Sequence, residues 1–228
     1  MFEKLSICNK ANISHSFDTI LSTITECSTL STQHLAMDAP KSWEEAQKRP
    51  EAAEWKAAIH EELKSLRDIE VYKLVQCSEL PRSAKIRKGL IILTNKIDAN
   101  RHLTRRKAHF VFKGYEQHWG VDYMSTTSPT AHMESWRILL HIAATLNWDA
   151  QQIDIKTSFL YGLLPDNETQ YMEQPKDFEE PRKETWVWQL KQGLYGMKQS
   201  GRIWNKTMNE AMISWGFVQL SCESCIYY

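Results

Sequence analysis

The strongest constraint on the fold is an amphipathic helix between residues 51 and 68. Apolar residues recur there at helical spacing, with Glu, Lys and Arg between them: Trp55, Ile59, Leu63 and Leu66. A helix with one apolar stripe is stable in a folded domain when that stripe packs against another element. The pattern therefore predicts a helix over residues 51–68 with Trp55 as a core anchor.

Stretches of strand character follow this helix. Alternating and β-branched residues predict strands at residues 71–75, 90–93, 109–112, 170–172 and 187–190. Residues 101–107 lie between the second and third of these strands, and we expect them to form an exposed hairpin connection. A last strand is expected to begin at Phe217 and to include residues 226–228.

Two more helices are predicted in the second half of the chain. Residues 135–146 present a wide apolar face, and a helix after Gly196 would place four large side chains on one face: Trp204, Met208, Met212 and Trp215. Between these helices, residues 150–155 alternate and predict a strand that leads into a short helix at 156–160.

Asp154 would point outward from that strand. Ile153 and Ile155 fall on one face and Asp154 on the other, because side chains alternate along a strand. An outward carboxylate before a turn is well placed to bind a metal ion. A solvent-facing Asp without a function would show the same pattern, so both interpretations stay open.

Charge is distributed unevenly although Lys plus Arg and Asp plus Glu are equal, at 28 each. Residues 82–113 contain ten basic residues and one acid, Asp98, for a local net charge of +9. Such a segment is typical of a phosphate-binding surface, and a plain solvated face would have the same composition.

The first 40 residues are rich in Ser and Thr and are expected to be a poorly ordered lead-in. Ser42 followed by Glu45 then predicts a capping box that opens a helix. No signal peptide is apparent and no apolar run approaches about 18 residues, so no membrane association is expected. Five cysteines without scaffold spacing favour an intracellular compartment, with cytoplasm or nucleus left open. Cys222 and Cys225 have the spacing of half a zinc site, but free thiols are the simpler interpretation.

Five stretches carry a resemblance to a known family. They are residues 107–117 (KAHFVFKGYEQ), 120–123 (GVDY) with 128–129 (SP), 152–162 (QIDIKTSFLYG), 171–175 (YMEQP) and 190–204 (LKQGLYGMKQSGRIW). In this order they resemble the reverse transcriptase domain of copia-type LTR retrotransposon Pol polyproteins. The resemblance runs from about Trp43 to the last residue.

The resemblance implies an α+β fold, with the fingers and an incomplete palm of a right-hand polymerase. A lead-in at residues 1–40 would precede a domain at 41–228. The fingers would lie mainly at 41–130 and 163–197, and the palm mainly at 131–162 and 198–228. The absent palm strands would leave apolar surface exposed, with marginal stability and a tendency to aggregate.

The family also implies roles for individual residues. Asp154 matches the first catalytic carboxylate, a magnesium ligand. Phe159 matches the aromatic residue that excludes a ribose 2′-hydroxyl, although a core Phe would look the same. Gln199 matches a Gln that helps position nucleotide and template. The phosphate-binding residues would be Lys96, Arg105, Arg106, Lys107 and Lys113, and the partners an RNA template, a DNA primer and deoxynucleoside triphosphates.

The sequence departs from the family at several positions. The second carboxylate pair, in a Tyr-x-Asp-Asp turn, is expected just after Tyr228, so the magnesium site would be incomplete. Thr94 replaces a basic residue and His109 replaces an Arg, which weakens two contacts to phosphate.

Three functions follow as hypotheses: the RNA-directed DNA polymerase activity of the family, an inactive relic, and a non-catalytic binder of RNA or DNA that uses the 82–113 surface. We expect an inactive polymerase segment. The oligomeric state is left open.

Overall fold

A computed structural model describes residues 39–82 and 84–228. Most of the expected lead-in at residues 1–40 therefore lies outside the described residues. The described chain forms two units, one of residues 39–64 and 91–110 and one of residues 65–90 and 111–228. Helices and strands are both present, which confirms the predicted α+β class.

The first unit is built on the predicted amphipathic helix. Helix α1 spans Trp43–Ala46 and helix α2 spans Ala52–Asp68. The Ser42 hydroxyl accepts a hydrogen bond from the Glu45 N–H (3.2 Å), which confirms Ser42 as the helix cap. The Glu45 carboxylate accepts from the Lys41 N–H (2.9 Å), one residue before the position that a capping box predicts. Trp55 is fully buried, as expected of a core anchor. The other buried apolar residues of this unit are Trp43, Ala46, Ala58, Ile59, Leu63, Leu93, Ala108 and Phe110.

Two long strands complete this unit and extend beyond it. Strand β3 spans Gly89–Ile97 and strand β4 spans Leu103–Phe112, and they form a two-stranded sheet. The prediction that residues 101–107 form an exposed connection was wrong, because the turn lies at residues 98–102 and β4 begins at Leu103. Asp98 sets this turn by accepting hydrogen bonds from the N–H groups of Asn100 and His102. Arg105, Arg106 and Lys107 are consequently held on a strand.

The second unit contains a four-stranded sheet. Its strands are β1 (Tyr72–Val75), β2 (Ile86–Arg87), β5 (Tyr171–Glu173) and β6 (Val187–Leu190), in the order β1-β6-β5-β2. β6 pairs antiparallel with β1 and β5, and β2 pairs parallel with β5. The rings of Tyr72 and Trp188 stack at 3.7 Å between centroids, beside the register pair Leu74 and Trp188. The predicted strands at 71–75, 170–172 and 187–190 are thus confirmed within a residue.

Helix α4 (Ser200–Ser214) follows a glycine-containing turn that approaches the end of β4. The Phe112 N–H donates to the Tyr195 carbonyl oxygen at 2.8 Å. A Cβ atom at Gly196 would lie 2.2 Å from the Phe112 oxygen, so only glycine fits this turn. Ser200, Ile203 and Ala211 are the buried residues of α4. The predicted helix is confirmed, and of the four large side chains expected on one face, Trp204, Met208 and Met212 are half-buried and Trp215 is exposed.

Helix α3 (Met133–Thr145) forms close to the predicted position but leaves its apolar face in solvent. None of its residues is buried, and its exposed side chains include Met133, Trp136, Ile138, Leu139 and Ile142. The expected exposed apolar surface is therefore present. The tendency to aggregate that would follow from it stays a prediction.

Two predicted strands are absent from the described part of this unit. Residues 150–155 have no regular secondary structure and Ile153 is exposed, because no neighbouring strand supplies backbone partners. The short helix expected at 156–160 is a 3₁₀ helix, Ser158–Tyr161. The expected last strand is reduced to an isolated bridge between Gln219 and Tyr227. No helix within residues 39–82 and 84–228 is both long and apolar enough to cross a membrane.

Candidate functional site

Three of the predicted phosphate-binding residues share one electrostatic neighbourhood in the first unit. Lys96 is the second-last residue of β3. Arg105 and Lys107 lie two residues apart on β4 and therefore point to the same face. Burial lowers the pKa of the Lys107 ammonium, and the positive charges of Lys96 and Arg105 lower it further. Cations that repel one another in this way are suited to a shared anionic ligand.

Arg106 points to the opposite face of β4 and is engaged inside the unit. Its guanidinium is paired with the Glu54 carboxylate and lies 5.4 Å from the centroid of the Trp55 ring. Arg106 therefore packs β4 against α2.

Lys113 lies in the other unit, where it precedes the 3₁₀ helix Gly114–Glu116 and is half-buried. Within the first unit the structure thus brings together Lys96, Arg105 and Lys107 and turns Arg106 to the opposite face of β4, whereas Lys113 belongs to the second unit.

His109 lies beside a buried carboxylate. Its Nδ1 atom is 3.4 Å from Oε1 of Glu62, which also accepts a hydrogen bond from the Phe110 N–H at 3.4 Å. Glu62 is buried in α2. The residue that departs from the family pattern is therefore part of the contact between β4 and α2.

Asp154 is exposed in the irregular segment between α3 and the 3₁₀ helix Ser158–Tyr161. Among the residues that the structure describes, no cluster of three or more His, Cys, Asp or Glu side chains could hold a metal ion. A two-metal centre needs several carboxylate oxygens around ions a few ångströms apart. Asp154 with its described surroundings does not fit a complete magnesium site.

Phe159 and Gln199 each make a contact near the start of α4. The half-buried Phe159 ring meets Tyr195 edge to face, with 6.3 Å between centroids. The Gly193 N–H donates to the Gly162 carbonyl oxygen at 2.7 Å, which holds the 3₁₀ helix Ser158–Tyr161 near this start. Both interpretations of Phe159, packing and nucleotide contact, are compatible with this partial exposure.

Gln199 is fully buried and its amide group is used inside the second unit. Its Oε1 atom accepts from Gln117 Nε2 at 3.1 Å, and its Nε2 atom donates to the Asp122 carbonyl oxygen at 3.4 Å. Gln117 in turn accepts from the Lys198 N–H at 2.9 Å. Gln199 therefore ties the start of α4 to the segment around Asp122.

The same segment contains one partner of a buried ion pair. The sequence alone did not indicate this pair. Arg87 Nη2 lies 2.7 Å from Asp122 Oδ2, and both side chains are buried. The second Arg87 nitrogen, Nη1, donates to the Glu116 carbonyl oxygen at 2.7 Å, and the His118 N–H donates to Asp122 at 2.8 Å. Asp122 belongs to the GVDY motif, which was the available signal for its importance.

Two opposing effects set the acidity of Asp122. Burial by itself raises the pKa of this carboxyl, but the His118 N–H and the Arg87 guanidinium outweigh it and hold the pKa below its ordinary value. The carboxylate is therefore charged at neutral pH and paired with Arg87.

A second ion pair, between Glu168 and Arg202, continues this support. Arg202 Nη2 contacts both Glu168 oxygens, at 2.8 and 2.6 Å, and its Nε donates to the Ser125 carbonyl oxygen at 2.9 Å. Glu168 also accepts from the Met124 N–H at 3.4 Å. Charged side chains of β2, α4 and the 3₁₀ helix Asp166–Glu168 thus form hydrogen bonds with residues 116–125.

Comparison with known families identifies the family of this chain. Residues 69–228 match the model of the reverse transcriptase (RNA-dependent DNA polymerase) family. The chain therefore belongs to the reverse transcriptase family, as the motifs predicted.

The particular relatives are retrotransposon polyproteins. The chain is 37% identical over 189 residues to the Retrovirus-related Pol polyprotein from transposon TNT 1-94 of Nicotiana tabacum, a match that covers 83% of this chain and 14% of the relative. It is 35% identical over 136 residues to the Pol polyprotein from transposon RE1 of Arabidopsis thaliana, covering 60% of this chain and 9% of the relative. The Ty1-BL Gag-Pol polyprotein of Saccharomyces cerevisiae is 30% identical over 122 residues, covering 53% and 7%. The chain thus spans a small part of the length of these relatives. No solved structure matches it.

Proposed function

We propose that this chain binds nucleic acid through Lys96, Arg105 and Lys107 and does not by itself extend a primer. The observation that carries the binding is the closeness of three basic side chains: the charges of Lys96 and Arg105 add to burial in lowering the pKa of Lys107, and Arg105 has only a long, 4.0 Å contact with the exposed Glu61 carboxylate. Phosphate groups would neutralise that charge and release condensed counterions. By the family resemblance, the bound molecules would be an RNA template, a DNA primer and deoxynucleoside triphosphates.

The expected lack of extension rests on the surroundings of Asp154. Asp154 would supply one carboxylate to magnesium, and the described residues supply no cluster that could complete the site. Charge stabilisation at the primer hydroxyl and the triphosphate needs two ions held together. A single exposed Asp cannot hold them.

A right-hand arrangement is also part of this proposal. Residues 41–130 and 163–197 would serve mainly as fingers, and residues 131–162 and 198–228 mainly as palm. In this arrangement Phe159 would contact nucleotide directly. Gln199 would act as a positioning residue through Gln117 and the segment around Asp122, because its own amide is buried.

A direct test measures binding of a labelled oligoadenylate of about 12 nucleotides as salt is raised. Replacing Lys96, Arg105 and Lys107 with Gln should weaken binding and reduce the slope of log K against log salt by about 2, because three phosphate contacts are lost. The matched control replaces three exposed lysines elsewhere, Lys48, Lys56 and Lys176, with Gln and so removes the same charge. Equal losses in the two variants would show that net charge alone drives binding.

Primer extension on an RNA template with magnesium tests the catalytic part. We expect no product above an Asp154→Ala control. Extension by the unaltered chain that disappears with Asp154→Ala would show a complete metal site and refute the proposed inactivity.

A further inference from the structure

Trp119 combines high exposure with a fixed position. Its residue surface is 74% exposed, yet its Nε1–H donates to the Met124 carbonyl oxygen at 3.0 Å. The backbone around it is closed by the Gly120 N–H, which donates to the Tyr123 carbonyl oxygen at 2.9 Å. The polar edge of the indole is therefore satisfied within the loop, while the apolar ring remains available to a ligand.

The loop that carries Trp119 is supported by buried charges. Arg87 bonds to Asp122 and to the Glu116 carbonyl oxygen, on either side of Trp119 in the chain. Glu168 accepts a hydrogen bond from the N–H of Met124, the residue whose carbonyl oxygen accepts from the Trp119 indole. Buried charged pairs are costly to assemble, and rigid support of this kind is what a preorganised binding site requires.

The outward side of the loop is apolar and aromatic, in contrast to its polar support. Besides Trp119, the exposed side chains include Tyr115, at 73%, Val121 and Met124. Solvent-exposed aromatic rings held in fixed positions are the groups on which unpaired bases stack.

The charge near the loop favours an anionic ligand. Lys85 and Lys88 flank β2 and are exposed, and the Lys85 charge contributes to the lowered pKa of Asp122. The Asp122 charge is itself neutralised by Arg87. The Lys85 charge therefore acts on the same loop that carries Trp119, and cations near exposed aromatic rings are the combination that binds single-stranded nucleic acid.

We infer that the loop of residues 115–124 is a stacking platform for unpaired bases of single-stranded nucleic acid, with Trp119 as its main contact. The inference rests on the proposed nucleic-acid function but uses a surface separate from Lys96, Arg105 and Lys107. Stacking is tolerant of sequence because every base has a flat face, so no base preference is expected.

The test compares Trp119→Leu with Trp136→Leu and Trp148→Leu, which remove similarly exposed tryptophans, at 54% and 60%, from the same unit. Oligoadenylate affinity should fall about 5- to 150-fold with Trp119→Leu, the range for one lost stacking contact, and should stay unchanged in the two controls. The slope of log K against log salt should stay the same in all three, since no phosphate contact is removed. Trp119→Phe should recover most of the affinity.

The outcomes separate this inference from the proposed function. Oligoadenylate binding that is salt-dependent but unaffected by Trp119→Leu would overturn the stacking platform and leave the basic face intact. A loss with Trp119→Leu but none with the Gln triple variant would support the platform and reject the basic face. Failure of the unaltered chain to bind would overturn both. Circular dichroism and thermal unfolding should match the unaltered chain in the three tryptophan variants, because each replaced ring is exposed.

Discussion

The Arg87 guanidinium and the Asp122 carboxylate form a buried ion pair, with 2.7 Å between Nη2 and Oδ2, 35 residues apart in the chain. Through this pair the short strand β2 is joined to the loop that follows β4. The same loop is joined to α4 through Gln199 and Arg202. The 3₁₀ helix Asp166–Glu168 is joined to it as well, through the bond from the Met124 N–H to Glu168. Three elements of the second unit therefore converge on one loop, and its conformation depends on charged side chains that are largely buried.

Removing one partner of this pair should be costly. Arg87→Met leaves the Asp122 charge buried without its partner, and we expect the free energy of unfolding to fall by about 3–5 kcal/mol. Replacing the adjacent exposed Lys88 with Met should change it by less than about 0.5 kcal/mol. Urea unfolding followed by circular dichroism measures both. A double variant, Arg87→Met with Asp122→Leu, should recover much of the loss, and no recovery would contradict the role of the buried charge.

The same pair predicts how stability depends on pH. Because the folded pKa of Asp122 lies below its ordinary value, its contribution is complete above the unfolded pKa, about 4, and is lost as the pH falls through the folded pKa. Arg87→Met removes a cause of the lowering and brings the folded pKa up toward or above the unfolded one, so the variant should lose less stability on acidification than the unaltered chain. Urea midpoints measured across the acid range test this, and identical profiles for the two proteins would refute it.

Local patterns predicted those elements whose partners are close or whose faces differ strongly. The stripe from Trp55 to Leu66 predicted α2, and the apolar run at residues 187–190 predicted β6. The alternation at residues 150–155 predicted a strand that does not form. Alternation shows only that one face could be buried, whereas a strand also needs a neighbour to pair its backbone.

The candidate site was predicted in its residue types but not in its geometry. The count of basic residues in 82–113 indicated an anion-binding surface, yet it could not show that Arg106 turns toward Trp55 while Lys107 does not. That distinction depends on the phase of β4, which the position of the turn at residues 98–102 sets. The burial of Gln199 depends on Gln117 and Asp122, and contacts over 82 and 77 residues leave no local pattern.

The close approach of Gly196 to β4 gives a second stability prediction. Gly196 has φ +86°, and an added Cβ atom would meet the Phe112 oxygen at 2.2 Å. Gly216 also has positive φ, +91°, but open space around it. Gly216→Ala should therefore cost about 1 kcal/mol, from backbone strain alone, and Gly196→Ala clearly more. Thermal unfolding of the two variants compares them directly, and equal losses would mean that the turn before α4 moves freely away from Phe112.

Glu223 caps the N-terminus of helix α3. Its Oε2 atom accepts from the His132 N–H at 3.0 Å and from the Ser135 hydroxyl at 3.1 Å. The His132 N–H is the main cause of the lowered pKa of Glu223, and a carboxylate at a helix N-terminus is favourable. Glu223→Ala should speed hydrogen exchange at the first turn of α3, with Glu173→Ala as the control at an exposed strand position.

Acid should have the same local effect as this substitution. The stabilisation by Glu223 is present at neutral pH and is lost as the pH falls through its lowered folded pKa. Exchange rates at residues 132–135, corrected for the intrinsic pH dependence, should therefore rise on acidification in the unaltered chain but not in Glu223→Ala. Equal acid responses in both would exclude Glu223 as the cap.

Proton uptake on binding gives the sharpest prediction for the basic face. The pKa of Lys107 is lowered by burial and then by Lys96 and Arg105, so a fraction of this residue is neutral at alkaline pH. A bound phosphate would offset the repulsion and raise that pKa, and Lys107 would take up a proton as the ligand binds. Calorimetric titration of oligoadenylate at alkaline pH, in two buffers with different ionisation enthalpies, should show this uptake as a difference in apparent binding enthalpy. Adenine has no group that titrates there, so the proton must go to the protein.

Lys107→Met should weaken binding and abolish the buffer dependence, whereas Lys56→Met should alter neither. Uptake that persists in Lys107→Met would assign the proton to another group and would remove the main support for phosphate binding at this face.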